Sequence, residues 1–189
     1  MNIIVKPYGC GASYCRPDTS WERENRDLYT PDRIDRWDWA PIVFVRISKA
    51  GKCVGKKFAS RYYDAFGFGA LLYIGSIEGQ SVDTAASSCA DHTSVLPFPL
   101  YNTAVLEGTE NEFKAYSNGN EIYSTGCSDI QAAIEEAICR SSEFVSLRTG
   151  DIVAVELAPV KPLAERSEGE IRFSGTFCEN QTFDFKILF

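Results

Sequence analysis

The run Glu112-Phe113-Lys114-Ala115-Tyr116-Ser117-Asn118-Gly119-Asn120-Glu121-Ile122-Tyr123, with Ser128-Asp129-Ile130-Gln131 a few residues beyond it, decides the fold. Two short segments rich in β-formers flank Asn118-Gly119, a dipeptide suited to the positive φ angles of a tight hairpin turn, so they predict paired antiparallel strands. Ser128-Asp129-Ile130-Gln131 has the form of a capping box at a helix start, and Ile130, Ile134 and Ile138 then fall on one face of a helix that ends near Ser141. Thr149-Gly150-Asp151 turns the chain into an apolar strand over Ile152-Val153-Ala154-Val155. The tail from Gln181 to Phe189 alternates Phe183, Phe185, Ile187 and Phe189 against polar partners until Leu188, as a half-buried strand does.

Upstream, Pro41 to Ile47 is short, β-branched and aromatic, which predicts a strand buried on both faces. The segment from Gly55 to Asp64 carries Phe58, Ala59 and Tyr62 near helical spacing, and Phe66 to Ile74 follows as a glycine-interrupted apolar strand. Met1 to Lys6 is a further short strand. Pro7 to Asp38 is a polar stretch punctuated as loop, with the charges of Asp32-Arg33-Ile34-Asp35-Arg36 solvated, and Ser81 to Asn102 is irregular. The pattern predicts one domain over 1–189, mostly β in the α+β sense, with two short helices.

A chain of 189 residues that is 44% hydrophobic and 13% aromatic has enough apolar surface to build a substantial core. Its 19 basic and 26 acidic residues leave a net charge of -7, which opposes binding to nucleic acid or to an anionic membrane surface. No stretch approaches the roughly 18 consecutive apolar residues of a membrane span, and Met1-Asn2-Ile3-Ile4-Val5-Lys6 lacks the layout of a secretory signal, so a cytoplasmic protein is expected. Seven cysteines in odd number, without a C-x-x-C pair, are expected to be reduced and mostly buried thiols. His92 is the only histidine, which excludes metal sites that need two imidazoles.

The order Asn118-Gly119, Ser128-Asp129-Ile130, Ile134, Ile138, Ser142, Leu147, Gly150-Asp151-Ile152 resembles the C-terminal half of fumarylacetoacetate-hydrolase family proteins. A second block, Val45-Arg46-Ile47, Gly51-Lys52, Lys57-Phe58-Ala59, Arg61-Tyr62-Tyr63-Asp64 and Gly69, resembles the same family in the same order, and Val5-Lys6-Pro7 looks like the strand that opens its substrate pocket. The resemblance implies a twisted, mixed β-roll that dimerises. It also implies a divalent magnesium or manganese ion held by a Glu-x-Glu pair and an aspartate, polarising a substrate carbonyl.

Carried onto this chain, the resemblance puts the two glutamates at Ala40 and Ile42 and the aspartate at Leu71, so hydrocarbon stands where oxygen ligands belong and no metal or other cofactor is expected. Asp35 and Asp38 lie nearby but supply no acid pair at i, i+2 on the strand. The family lysine falls near Ser88 and its "Thr-Gly-Thr-Pro" loop on Val155-Glu156-Leu157-Ala158, and the N-terminal lid segment with its glutamate-histidine pair is expected to be missing. Ala40, Ile42, Leu71 and Leu72 are expected to fill the former pocket, with Lys6, Ser88 and Leu157 on its margin.

Weak catalytic candidates remain in Lys6, Asp91 and His92. Lys6 could meet an anionic group, though a lone lysine beside a loop is usually solvated. Asp91-His92 could form an acid-base dyad, but adjacent side chains rarely converge, and Cys89 would need His92 to activate it. Arg61-Tyr62-Tyr63-Asp64 reads as packing, and Asn180-Gln181-Thr182 fits a glycosylation sequon without a secretory signal to support it. The resulting expectation is a catalytically inactive relative, acting as a structural or regulatory partner or as a binder of a small ligand. It would be a homodimer or a heterodimer with an active paralogue. The competing expectation is a hydrolase, isomerase or decarboxylase of a small, acylpyruvate-like oxo-acid using relocated Lys6, Asp91, His92 and Glu156.

Overall fold

Period-two burial on both sides of the longest strands organises the chain, as seen in a computed structural model that describes residues 1–108 and 110–189. In chain order the strands are β1 (Ile3–Lys6), β2 (Tyr14–Arg16), β3 (Trp21–Glu22), β4 (Leu28–Tyr29), β5 (Ile34–Arg46), β6 (Ala65–Ile77), β7 (Gln80–Ser81), β8 (Ser94–Val95), β9 (Tyr101–Asn102), β10 (Glu112–Ser117) and β11 (Asn120–Gly126). The helix α1 (Ile130–Phe144) separates them from β12 (Ile152–Glu156), β13 (Lys161–Glu165), β14 (Glu170–Phe177) and β15 (Asn180–Leu188).

The larger sheet runs β2-β1-β12-β5-β6-β8-β3, with β13 on β5 and with β7 and β9 on β6; the smaller runs β11-β10-β14-β15-β4. Parallel pairs (β1 with β12, β3 with β8, β4 with β15) sit among antiparallel ones, so both sheets are mixed. Along β5, Val43 and Val45 face the smaller sheet and α1 while Ala40, Ile42 and Phe44 face the other way. β6 does the same, with Phe66, Phe68, Ala70 and Leu72 on the first side and Leu71 and Tyr73 on the second. Each face has its own hydrophobic cluster because a strand sends successive side chains to opposite sides.

The first cluster joins the sheets through aromatic contacts: Phe68 stacks on Phe113 with ring centroids 4.9 Å apart, and Trp39 meets Phe173 edge-on at 5.1 Å. The second cluster lies in the concave side of the larger sheet, where Ile3, Val5, Ile152 and Ala154 close over β5 and β6. Gly69 is required there, since a Cβ at that position would lie 2.1 Å from the Val95 carbonyl oxygen. Pro41 is tolerated inside a long strand because β5 changes partner around it, pairing with β12 as far as Ile42 and with β13 from Trp39.

The hairpin forms as expected, with Asn118 and Gly119 at φ 49° and 79° between β10 and β11. α1 buries Ile130, Ile134 and Ile138, but Asp129 rather than Ser128 caps it, in a left-handed conformation and without a side-chain bond, so no capping box forms. The segment expected to be the other helix is a 3-10 turn over Lys56–Arg61. β5 starts seven residues earlier than the apolar pattern suggests, because Ile34 and Trp37 are buried between charged neighbours, and β2, β3 and β4 interrupt the stretch expected to be loop. All seven cysteines are free, but Cys10, Cys15, Cys53 and Cys89 are exposed, contrary to the expected burial: they sit on turns and on an edge strand. Among the described residues no helix is long and apolar enough to cross a membrane.

Replacing Phe113 by alanine removes the ring that stacks between the sheets, and the expected loss is about 3–5 kcal/mol of unfolding free energy, read as a lower denaturant midpoint at unchanged slope.

Candidate functional site

Ala40 and Leu71 are direct cross-strand partners in the β5–β6 pair, and Ile42 is the next residue along the same face. All three are 0% exposed within the second cluster. A hard divalent cation needs six or more oxygen ligands, and three hydrocarbon side chains sealed among Ile3, Val5, Phe44 and Ile152 supply none, so this donor set does not fit the implied metal. Asp38 continues the row of Ala40 and Ile42, but Arg36 grips its carboxylate in a fork at 2.7 and 3.3 Å. Asp35 accepts the Gly79 backbone N–H instead. Among the described residues no three His, Cys, Asp or Glu side chains gather into a cluster that could hold a metal.

A second carboxylate reaches this face. Glu156 pairs in register with Ile42, is 6% exposed, and accepts hydrogen bonds from the Tyr73 hydroxyl on one oxygen and from the Tyr8 backbone N–H at 2.9 Å on the other. Tyr73 is bonded in turn to the Tyr14 hydroxyl at 2.6 Å. The guanidinium of Arg16 lies 5.0 Å from the centroid of the Tyr73 ring and donates to the carbonyls of Ser88 and Leu72 and to the Thr93 hydroxyl. A buried cation and a buried anion are thus joined through a phenol, which keeps both hydrogen-bonded at low dielectric.

Burial pushes the Tyr14 phenol up to about 12, and burial together with the nearby Glu156 charge raises Tyr73 well above the usual tyrosine range. Above the network opens a cleft of about 420 Å³ bordered by Tyr8, Ser13, Tyr14, Asp83, Glu156 and Val160. Its two acids make the mouth unfavourable for a carboxylate ligand, and its hydroxyls suit an uncharged one.

The other sequence candidates scatter. The Lys6 ammonium bonds the Cys10 carbonyl across the β1–β2 turn and does not border the cleft. Ser88 is buried, with its hydroxyl on the Ala85 carbonyl and its own carbonyl on Arg16. Leu157 and Leu72 pack on the opposite, inter-sheet cluster, so Leu72 does not fill the former pocket: it is one residue out of phase with Leu71. His92 bonds Glu22 through Nδ1 at 3.1 Å and makes no hydrogen bond to its neighbour Asp91, though both border one cleft. Exposed Cys89 has its thiol against the Ala86 carbonyl. Tyr63 is buried in the inter-sheet cluster, and the Tyr62 carbonyl accepts the Ser48 N–H.

Tyr14 and Arg16 are not legible as site residues, because both lie in the polar stretch expected to be loop, where the alternation Tyr14-Cys15-Arg16 is the available signal of a strand; Tyr73 falls in a run, Tyr73-Ile74-Gly75-Ser76, that the family resemblance makes substrate-facing.

No protein-family model matches the chain, and no curated protein is significantly similar to it in sequence. Solved structures are similar in shape. Fumarylpyruvate hydrolase from Pseudomonas aeruginosa, in complex with Mn2+ and pyruvate, matches with TM-score 0.80 and 13% identity over 100% of this chain and 89% of its own. A protein from Yersinia pestis CO92 described as belonging to the fumarylacetoacetate hydrolase family matches with TM-score 0.78 and 14% identity over 99% and 92%. Maleylpyruvate hydrolase from Sphingobium sp. SYK-6 matches with TM-score 0.74 and 14% identity over 99% and 69%. The chain therefore has the fumarylacetoacetate-hydrolase-like fold.

Tyr73→Phe leaves one oxygen of buried Glu156 without its donor and is expected to cost about 1–3 kcal/mol in chemical denaturation. Because the Tyr14 phenol holds its proton more tightly folded than unfolded, the unfolded chain ionises first as pH rises past 10, the ordinary tyrosine value. Tyr14 should therefore contribute a fall in unfolding free energy between pH 10 and about 12, and Tyr14→Phe should make the fall over that range smaller.

Proposed function

We propose that this chain is a catalytically inactive relative on the fumarylacetoacetate-hydrolase fold, and that it binds a small uncharged molecule in the cleft over Tyr14, Tyr73 and Glu156. The observation that carries the reading is the sealed hydrocarbon at Ala40, Ile42 and Leu71, on the face where the resemblance implies three acidic ligands. Mn2+ and pyruvate accompany the Pseudomonas aeruginosa hydrolase. In this chain that face carries the carboxylates of Glu156 and Asp38, and the oxygens of both are already engaged by the protein.

The competing enzymatic reading needs Lys6, Asp91, His92 and Glu156 to act together. They do not share a pocket: Lys6 braces a turn, Glu156 borders the cleft over Tyr14, and Asp91 and His92 border a different cleft. A homodimer, or a heterodimer in which an active paralogue supplies chemistry, belongs to the same proposal and rests on the family resemblance alone.

Magnesium or manganese titrated calorimetrically into the pure protein should give no specific heat, and a micromolar one-to-one signal would overturn the reading. Native mass spectrometry of freshly purified chain should show a retained small-molecule adduct that Ala12→Trp, which crowds the cleft, displaces; an adduct-free spectrum counts against a ligand role.

A further inference from the structure

Tyr73 and Ile74 are successive residues of β6, so their side chains leave the sheet on opposite faces. Tyr73 belongs to the network beneath the first cleft, whereas Ile74 borders a second cleft of about 770 Å³. That cleft is walled by Leu28, Ile34, Trp37, Ile74 and Ala90, with His92 at its polar end.

The histidine is held like a functional group. Its partner Glu22 has a side chain only 4% exposed, fixed because β3 pairs with β8 two residues beyond His92. One Glu22 oxygen accepts the backbone N–H of Glu24 at 2.6 Å, and the other faces His92 Nδ1 at 3.1 Å. A carboxylate can only accept, so Nδ1 carries a proton, and Nε2 is the ring atom whose lone pair a neutral imidazole offers. Among the described residues no protein group bonds Nε2. The backbone at His92 is left-handed, at φ 58°, with its N–H on the Thr19 carbonyl, and the next residue, Thr93, is clamped by Arg16 at 2.6 Å.

The charges around the cleft decide what would enter. Arg26 borders it but is paired with Glu24, while Asp27 and Asp91 are both acidic. The Trp37 indole N–H is already given to the Thr30 hydroxyl, so tryptophan presents hydrocarbon rather than a donor. An anion would meet two acids and no free cation among the bordering side chains. A flat apolar ring that carries a hydroxyl or amino donor would meet an apolar wall and a rim of hydrogen-bond acceptors, the His92 ring nitrogen beside the Asp27 and Asp91 carboxylates.

We infer that this cleft is a second ligand site, which takes an uncharged aromatic molecule bearing a hydrogen-bond donor, with His92 Nε2 as the acceptor and Glu22 as the residue that sets its tautomer. The inference does not rest on the function proposed for the opposite face.

Because the chain has a single histidine, its imidazole C–H signals form a one-residue reporter in a proton–carbon NMR spectrum. Titrating 1-naphthol at neutral pH should move the His92 signals saturably, and 1-naphthoate, the same ring with an anion in place of the donor, should bind at least about tenfold more weakly. His92→Asn tolerates the left-handed backbone and, with affinity read from 1-naphthol fluorescence because the imidazole reporter is gone, should weaken 1-naphthol about tenfold, one hydrogen bond's worth, with the fold unchanged by circular dichroism. Glu22→Gln, which frees the tautomer, should weaken it in the same direction. Static His92 signals, naphthoate bound as tightly as naphthol, or undiminished affinity in His92→Asn would each overturn the inference.

Discussion

The β5–β6 ribbon is buried on both faces, and the rest of the structure follows from that constraint. An ordinary antiparallel pair hides one side and wets the other, so polar residues alternate with apolar ones. Here the smaller sheet and α1 cover one side, and the curl of the larger sheet covers the other. Every position from Trp39 to Val45 is therefore buried and apolar, whichever way its side chain points. A carboxylate anywhere in that run would need a partner to offset desolvation, and no free one is at hand. The same demand for close packing explains the glycines of β6 on the concave side: a Cβ at Gly67 would strike the Phe44 ring, and one at Gly69 would strike a carbonyl.

Polar chemistry is consequently displaced to the ends of the ribbon. Where β12 hands over to β13, Glu156 enters the concave face and is neutralised by a chain of donors through Tyr73 to Tyr14, with Arg16 against the ring. Replacing such a buried set by hydrocarbon is often neutral in stability, so its presence is weak evidence of a stabilising role. What it does achieve is placement, since β2 and the loop after β6 are held to the sheet by Arg16 bonds to the Ser88 and Leu72 carbonyls and to Thr93.

The readable parts of the sequence are those whose local chemistry leaves no choice. Asn118-Gly119 had to turn, and it does so with both residues at positive φ. Asp151 anchors the Arg148 N–H and the Asn2 N–H, and Ser142 accepts the Val54 N–H, so the residues that carried the family resemblance are largely fasteners of the fold. That is why shape survives at 13–14% identity to the solved structures. The site was harder to read for the converse reason. Ala40, Ile42 and Leu71 are singled out by the family resemblance, but Tyr14, Arg16 and Glu22 act through partners 59 to 77 residues away, and no periodicity reports such pairings. Leu72 shows the sensitivity of strand reasoning, in which one residue of phase moves a side chain to the other face.

The two clefts lie on opposite faces of one strand and share one support. Arg16 touches the ring of Tyr73, which is bonded to Tyr14 and Glu156 at the first cleft, and the hydroxyl of Thr93, which follows His92 at the second. Its remaining nitrogen, Nη1, is buried with no hydrogen-bond partner among the described residues, and the bonds that hold the guanidinium run to two carbonyls and a hydroxyl rather than to a carboxylate. A side chain fixed in that way cannot follow movement on one face without disturbing its bonds on the other. Rigid contact alone makes no switch, because coupling between sites requires a second arrangement of the shared element with different affinity at each. The structure thus supplies a physical connection between the two faces, and what it determines directly is geometry: the position of Tyr73 and the position of the His92 loop are set by the same five-donor group.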